Sequence, residues 1–186
     1  MSEDSERVLD SRRVYEGRVV SLRVDTVELE GGQQVTREVV EHAPVVAIVP
    51  LVSDEEVLLV RQYRLPVEAA LLEIPAGGVD GGEGIEEAAQ RELGEECGRR
   101  AGRLERLGAF YVSPGFCDEL VHVFLARDLE EASGLAPDED ERLEVVSMSL
   151  AEALRLVREG EIRDAKSVIG LTWAWAKLRG VAPGLD

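Results

Sequence analysis

The sequence has 186 residues, enough for one domain with a well-buried core, and its 38 acidic side chains against 21 lysines and arginines give a formal net charge of −17. This acidic balance disfavours duplex nucleic acid and anionic membranes as partners, because both are bound through clustered basic side chains. Cys97 and Cys117 are too few for a disulfide framework, no apolar run is long enough to cross a bilayer, and the N-terminus is acidic and polar, so we expect a cytoplasmic protein.

The amino-terminal part of the chain is predicted to form a small antiparallel sheet. Residues 1–11 contain few apolar side chains, so we expect a flexible leader there. Residues 12–29 alternate polar with β-branched side chains, Gly31–Gly32 supply a turn, and residues 33–42 run back. We therefore assign residues 12–43 to N-terminal antiparallel strands.

The central region is predicted to supply the core strands of a second sheet. Residues 45–52 and 57–64 are apolar enough to be central strands, and the short polar turn between them favours a pair. Residues 71–74 indicate a short strand that ends at Pro75, because proline cannot donate to a strand ladder.

The rest of the chain is predicted to contain further strands, an acidic loop and two helices. Strands are expected at residues 102–112 and 120–127, on either side of a loop rich in turn-forming residues. The acidic stretch at residues 136–144 leads into another short strand. Apolar side chains then recur at helical spacing over residues 150–158 and 165–178.

The chemically informative stretch lies earlier, where residues 83–97 have helical periodicity. An apolar row along this helix is predicted to face the core, and it consists of Ile85, Ala89, Leu93 and Cys97. At roughly 100° per residue, Glu92 and Glu96 lie on the same side of the helix as that row. Two acidic side chains therefore share the bearing of the apolar face.

Two carboxylates side by side on a half-buried face need a positive partner, since an unpaired buried acid loses hydration and tends to take up a proton. Arg91 is expected to point the other way, toward Glu87 and Glu95, and so not to serve Glu92 and Glu96. A hard divalent cation bound by oxygen ligands resolves the conflict, which makes this helix a candidate metal site.

The order of residues in this stretch resembles the Nudix box of the Nudix hydrolases, which runs G, x5, E, x7, R, E, hydrophobic, x, E, E, x, G, hydrophobic. The matching positions are Gly77, Glu83, Arg91, Glu92, Leu93, Glu95, Glu96 and Gly98. The box spans residues 77–99 and has one departure, because Arg99 stands where a hydrophobic residue is usual. A match at so many defined positions is far more specific than a short glycine motif.

The resemblance implies a Nudix-type α/β/α sandwich, an α+β fold with a mixed sheet, over residues 44–186. It also implies Mg²⁺ or Mn²⁺ held against a diphosphate. The implied metal ligands are Glu92, Glu96, Glu95 and the carbonyl of Ala76. Glu95 is in addition a candidate catalytic acid, while Glu83 and Arg91 are implied to brace the box through an ion pair.

A carboxylate must also orient or deprotonate the attacking water. In a branch of the family that acts on ADP-sugars this base lies in an acidic loop after the box, and residues 136–146 resemble that loop. We assign Glu141 as the first candidate base and Glu139 as the second. The alternative interpretation of this stretch is a solvated acidic turn without a catalytic role.

Other segments resemble the ADP-ribose pyrophosphatases of the family, namely residues 60–64, 71–78 and 111–115. In those enzymes the N-terminal sheet associates with a second subunit and the substrate lies in a cleft made by both chains, so we expect a homodimer. The implied substrate contacts are Arg64, Glu73, Gly77 and Pro114. The alternatives for Arg64 and Glu73 are a surface cation and a strand-edge acid.

The expected activity is Mg²⁺-dependent hydrolysis of the diphosphate of ADP-ribose to AMP and ribose 5-phosphate. Two alternatives stay open: hydrolysis of another nucleoside diphosphate derivative, such as a GDP-sugar or a diadenosine polyphosphate, and a catalytically silent domain that binds ADP-ribose as a sensor. The intact acids Glu92, Glu95 and Glu96 argue against silence, and the acidic surface argues against RNA decapping.

Overall fold

The computed structural model describes residues 6–132 and 143–181 and divides into two compact units. The first unit consists of residues 1–44 and 110–120, and the second of residues 45–109 and 121–186. In the described part of the chain, no helix is both long and apolar enough to cross a membrane.

The first unit contains a three-stranded antiparallel sheet with the order β1-β2-β3. Its strands are β1 (Arg7–Glu16), β2 (Val20–Glu28) and β3 (Gln34–His42). The turn between β2 and β3 uses Gly31 and Gly32 at φ angles of 93° and 82°, a left-handed region that glycine enters without steric cost. The small antiparallel sheet predicted from the sequence is therefore present.

The predicted leader over residues 1–11 is wrong for residues 7–11, which form the first half of β1. Polar cross-strand bonds hold this stretch to β2 in place of apolar burial. Arg7 pairs with Glu28 at 2.7 Å, and Ser11 donates to the Asp25 carboxylate at 2.6 Å. Low apolar content failed as a sign of disorder here because hydrogen-bonded and charged pairs can also stabilise adjacent strands.

The second unit is built on a seven-stranded mixed sheet. Its strands are β4 (Val45–Ser53), β5 (Glu56–Arg64), β6 (Ala69–Glu73), β7 (Ala76–Gly78), β8 (Arg99–Tyr111), β9 (Leu120–Glu131) and β10 (Leu143–Ser149). Five of them follow the order β10-β5-β4-β9-β8, while β6 pairs with β5 and β7 with β4. Strand β4 runs parallel to β9 but antiparallel to β5 and β7, so the predicted mixed sheet is confirmed.

In the described part of the chain, three α-helices cover the two faces of this sheet: α1 (Ile85–Cys97), α2 (Leu150–Glu159) and α3 (Ala165–Leu178). Val46 and Ile48 of β4 belong to the same buried cluster as Leu93 of α1. On the other face, α3 approaches so closely that a Cβ at Gly170 would lie 3.2 Å from Cγ2 of Val49. Burial on both faces explains the unbroken apolar run of β4.

The boundaries of α1 and β8 differ slightly from those predicted. Helix α1 begins at Ile85 and ends where Gly98 takes a φ angle of 61°, a common way for a helix to end. Strand β8 begins at once at Arg99, and the Gln90 side chain bonds both backbone groups of Ala101, at 2.8 and 3.0 Å. A side chain of the helix thus holds the start of this strand, a contact that a local pattern does not reveal.

Candidate active site

Two buried acids of α1 lie against the short strand β7. Glu92 and Glu96 are 8% and 5% exposed, although carboxylates are seldom buried unless they are paired. The backbone N–H of Ala76 donates to Oε2 of Glu96 at 3.1 Å. A Cβ at Gly77 would lie 2.1 Å from Cδ of Glu92, so the Glu92 carboxylate occupies space that only a glycine leaves open.

Arg91 is the hub of an ion-pair network beside these acids. Its guanidinium makes two bonds of 3.0 Å to Glu83 and bonds of 2.7 and 2.8 Å to Glu92 and Glu95. It also donates to the carbonyl of Gly78 at 2.9 Å. The Glu83 carboxylate, followed by Glu92 and Glu95, raises the pKa of Arg91, and the hydrogen bonds from Arg91 lower the pKa of Glu83.

The sequence interpretation of Arg91 needs one correction. It placed the side chain toward Glu87 and away from Glu92, but Glu87 instead accepts a bond from the N–H of Gly84 at 3.0 Å and caps α1. Arg91 reaches Glu92 because Glu83 holds its guanidinium over the loop that precedes the helix. The long arginine side chain is not confined to the bearing of its Cα atom.

The donor set of this region fits a hard divalent cation in chemistry. Glu92, Glu96 and the Ala76 carbonyl are oxygen donors gathered on α1 and β7, and Mg²⁺ and Mn²⁺ prefer oxygen ligands. In the described part of the chain, however, no group of three His, Cys, Asp or Glu side chains is arranged to hold a metal. Glu92 and Glu95 are drawn to the Arg91 guanidinium in this conformation, so a cation would have to compete with that side chain.

A second ion-pair cluster joins the ends of β5 and β6. Arg64 donates from Nε and Nη2 to the two carboxylate oxygens of Glu73, at 2.9 and 2.8 Å. The Glu73 side chain is 1% exposed and also accepts a bond from Lys166. Burial acts to raise the pKa of Glu73, but the bonds from Arg64 and the charge of Lys166 outweigh it, so that pKa is lowered.

Arg64 also lies within electrostatic range of one acid on α1, Glu96. Glu73 is the main cause of the raised pKa of Arg64, and the charge of Glu96 adds to the effect. The Arg64 side chain is 37% exposed, whereas Glu73 beneath it is closed off from solvent. Arg64 is therefore the more exposed member of this ion pair.

Comparison with known proteins gives the family. The model of the NUDIX domain matches residues 41–169, and that of the nucleoside diphosphate sugar hydrolase N-terminal domain matches residues 6–40. The chain belongs to the Nudix family. It is a Nudix pyrophosphohydrolase by its similarity to characterised members.

Relatives of this Nudix chain match it over most of their length. It is 41% identical over 175 residues to the ADP-ribose pyrophosphatase of Bacillus subtilis (strain 168), and the aligned region covers 92% of this chain and 94% of that protein. It is 40% identical over 171 residues to the methanol dehydrogenase activator of Bacillus methanolicus, covering 90% and 91%. A crystal structure of an ADP compounds hydrolase superposes with a TM-score of 0.85 at 29% identity, covering 97% of this chain and 99% of that one.

The Nudix box residues lie together on β7, α1 and the loop between them. They include Gly77, Glu83, Arg91, Glu92, Glu95 and Glu96, and Ala76 directly precedes the box on β7. Pro114, another predicted substrate contact, lies on an exposed loop of the first unit, beside a groove of about 460 Å³ that Tyr111 and Phe116 also line. The candidate bases Glu139 and Glu141 fall outside the described residues.

Sequence reasoning missed the first turn of α3. Lys166 bonds Glu73, and the hydroxyl of Ser167 accepts the N–H of Ile74 at 2.8 Å while donating to Asp164 at 2.6 Å. One signal was available, because Lys166 is one of only two lysines in a chain whose other basic residues are arginines. The sequence gives no indication, however, that this lysine meets a residue so far away along the chain.

Proposed function

We infer that this Nudix hydrolase cleaves the diphosphate of ADP-ribose to AMP and ribose 5-phosphate with Mg²⁺, or Mn²⁺, as its cofactor. The observation that carries the inference is the pair of buried carboxylates, Glu92 and Glu96, held against Ala76–Gly77. The similarity to the ADP-ribose pyrophosphatase of Bacillus subtilis supports the choice of substrate.

Glu92, Glu96 and the Ala76 carbonyl would hold the cation, with Glu95 as an auxiliary ligand. When bound, the cation would neutralise the negative charge that builds up on the diphosphate oxygens in the transition state. Glu73 occupies only the Nε and Nη2 edge of the Arg64 guanidinium, at the end of β5. The Nη1 group of Arg64 then binds a phosphate. Arg91 keeps Glu92 and Glu95 oriented through its ion pair with Glu83.

The reaction itself requires an activated water. A carboxylate takes a proton from the water, the water oxygen bonds to one phosphorus, and the bond from that phosphorus to the bridging oxygen breaks. We assign the base to Glu141, with Glu139 as the second choice, on sequence grounds alone. Hydrolysis in ¹⁸O water identifies the attacked phosphorus, since the label enters either AMP or ribose 5-phosphate.

The first unit is proposed to join two chains into a homodimer. All ten residues of β1 are exposed, and within residues 6–132 and 143–181 this strand pairs on one side only, with β2. Val8, Val14 and Tyr15 are 56%, 41% and 58% exposed. A long edge strand with exposed apolar side chains is a ready surface for association. Sedimentation at the mass of two chains is the expected result, and a stable monomer contradicts the proposal.

The test of function is a substrate panel with Mg²⁺, read for released products. ADP-ribose, GDP-mannose and a diadenosine polyphosphate are compared, since the N-terminal match is to nucleoside diphosphate sugar hydrolases in general. We expect ADP-ribose to give the highest kcat/KM. Preferred cleavage of GDP-mannose contradicts the choice of substrate, and tight ADP-ribose binding without turnover establishes the sensor alternative.

Two variants of α1 make the panel specific to the metal site. Glu96→Gln removes one proposed ligand charge and is expected to lower kcat by about 10³-fold, because a bound cation supplies several kcal/mol of transition-state stabilisation. Glu86→Gln is the matched control, since Glu86 is an exposed acid in the first turn of the same helix. Equal activity of the two variants contradicts the assignment of Glu96 as a ligand.

A further inference from the structure

The first turn of α3 holds the segment that leads into the active site. Lys166 bonds Glu73 at the end of β6, and Ser167 accepts the N–H of the next residue, Ile74. The chain then continues to Ala76, whose N–H bonds Glu96. Contacts from α3 and from α1 therefore fix the two ends of one short backbone segment.

The carboxylate of Glu73 lies between two cations that differ in exposure. Lys166 is 14% exposed and bonds Oε2 of Glu73, while Arg64 is 37% exposed and bonds both oxygens. Asp164, 18% exposed, lies 3.0 Å from the Lys166 ammonium and also caps α3 by accepting the N–H of Ser167. Lys166 is thus fixed between two acids, and the buried acid it contacts is the one that orients Arg64.

From this geometry, and resting on the function proposed above, we propose that Lys166 is a positioning residue for substrate binding. Lys166 fixes the Glu73 carboxylate, and Glu73 in turn holds the Arg64 guanidinium. The Nη1 donor of Arg64, which Glu73 does not use, then meets a phosphate of the nucleoside diphosphate. Lys166 itself does not touch the substrate. Its ammonium pairs with both Glu73 and Asp164, and it is a compact point charge, whereas every other Lys or Arg position except Lys177 carries the larger planar guanidinium of arginine.

A structural ion pair alone would not need this arrangement. A buried carboxylate with one bidentate arginine already has its charge matched, and a second cation mainly limits the positions that the carboxylate can take. Loss of Lys166 leaves Arg64 bonded to a less constrained acid. The contact between Arg64 and the phosphate then weakens more than the chemical step slows, so the main effect is a higher KM.

The first experiment compares three lysine variants in steady-state kinetics, with whichever nucleoside diphosphate the wild type hydrolyses best. Lys166→Met is expected to raise KM about tenfold, the ratio for one charge-assisted hydrogen bond lost to the substrate, with kcat changed less than about twofold. Lys166→Arg, which keeps the charge, is expected to restore part of the lost affinity. Lys177→Met is the control on the same helix, since Lys177 is 52% exposed and pairs with Glu105.

The second experiment is a double-mutant cycle that separates positioning from general damage. If Lys166 acts through Arg64, then Lys166→Met has no further effect on KM once Arg64→Ala is present. Independent effects that multiply overturn the proposal, as does a Lys166→Met variant with unchanged KM or with a loss confined to kcat.

A folding defect is handled by removing both buried charges together. Lys166→Met with Glu73→Gln leaves no unpaired buried acid, so this double variant is expected to fold while KM stays high. Recovery of the wild-type KM in it overturns the positioning role. Absence of turnover in the wild type on every diphosphate is a failure of the proposed function instead, and binding of ADP-ribose by calorimetry with Ca²⁺ then tests Lys166 through the dissociation constant.

Discussion

Replacement of Gly77 by alanine tests the geometry of the site at a single atom. An added Cβ would lie 2.1 Å from both Cδ and Oε1 of Glu92 and 2.3 Å from its Oε2, far inside van der Waals contact. The carboxylate must therefore move by about 1 Å or more, and a displacement of that size at a reacting centre costs about 10²-fold in rate. Because the displaced carboxylate is the flexible end of the Glu92 side chain, we expect the fold itself to tolerate the change.

The assay measures kcat and the Mg²⁺ dependence of the rate for Gly77→Ala beside thermal unfolding. Gly78→Ala is the matched control, because a Cβ at Gly78 meets no atom within 4 Å and neither glycine requires a left-handed φ. We expect about a 10²-fold loss of kcat and a higher Mg²⁺ requirement for Gly77→Ala alone, with similar melting temperatures for both variants. Wild-type activity in Gly77→Ala would refute the placement of Glu92 over the strand.

Three further predictions follow from burial and charge. The pKa of Glu73 is lowered in the folded chain, so its ion pairs stabilise the fold above about pH 4.3, and this stability is lost as the pH falls through the lowered value. The free energy of unfolding in urea should therefore fall more steeply with decreasing pH for the wild type than for Glu73→Gln. The same pH dependence in both proteins contradicts this. Burial raises the pKa of Cys97 to about 12, so a thiol reagent at pH 8 should modify the half-buried Cys117 in the folded chain and Cys97 only after denaturation, whereas rapid modification of both contradicts the packing. Gly170→Val should lower the free energy of unfolding by about 1–3 kcal/mol through overpacking, since even a Cβ there lies 2.8 Å from Cδ1 of Ile74, and unchanged urea unfolding would contradict that close approach.

Local patterns were sufficient for most of the second unit. The bounds of α3 match the prediction, because helical spacing of apolar residues and an Asp164 side chain that accepts the N–H of Ser167 mark the same start. The row of α1 that contains Ala89 and Leu93 is buried as expected. These features depend on residues within one or two turns of each other, which a sequence displays directly.

Contacts between distant segments could not be predicted in the same way. Glu73 and Lys166 are 93 positions apart, and nothing in either local pattern points to the other. Residues 7–11 are held to β2 by polar pairs that an apolar pattern does not detect. In both cases the deciding interaction is an ion pair or hydrogen bond between residues far apart in the sequence, so the residues around each partner constrain it only weakly.

Arg99 departs from the Nudix box, and the structure shows that the apolar packing usual at this motif position is supplied by another residue. A hydrophobic residue is usual at this position, but the Arg99 side chain is 39% exposed and lies 3.9 Å from Glu131, an exposed pair worth about 0–1 kcal/mol. Ala101, which is 4% exposed, is the residue that joins the buried cluster of α1. The apolar contact beside α1 is thus made two residues further along β8, where Gln90 bonds the strand backbone.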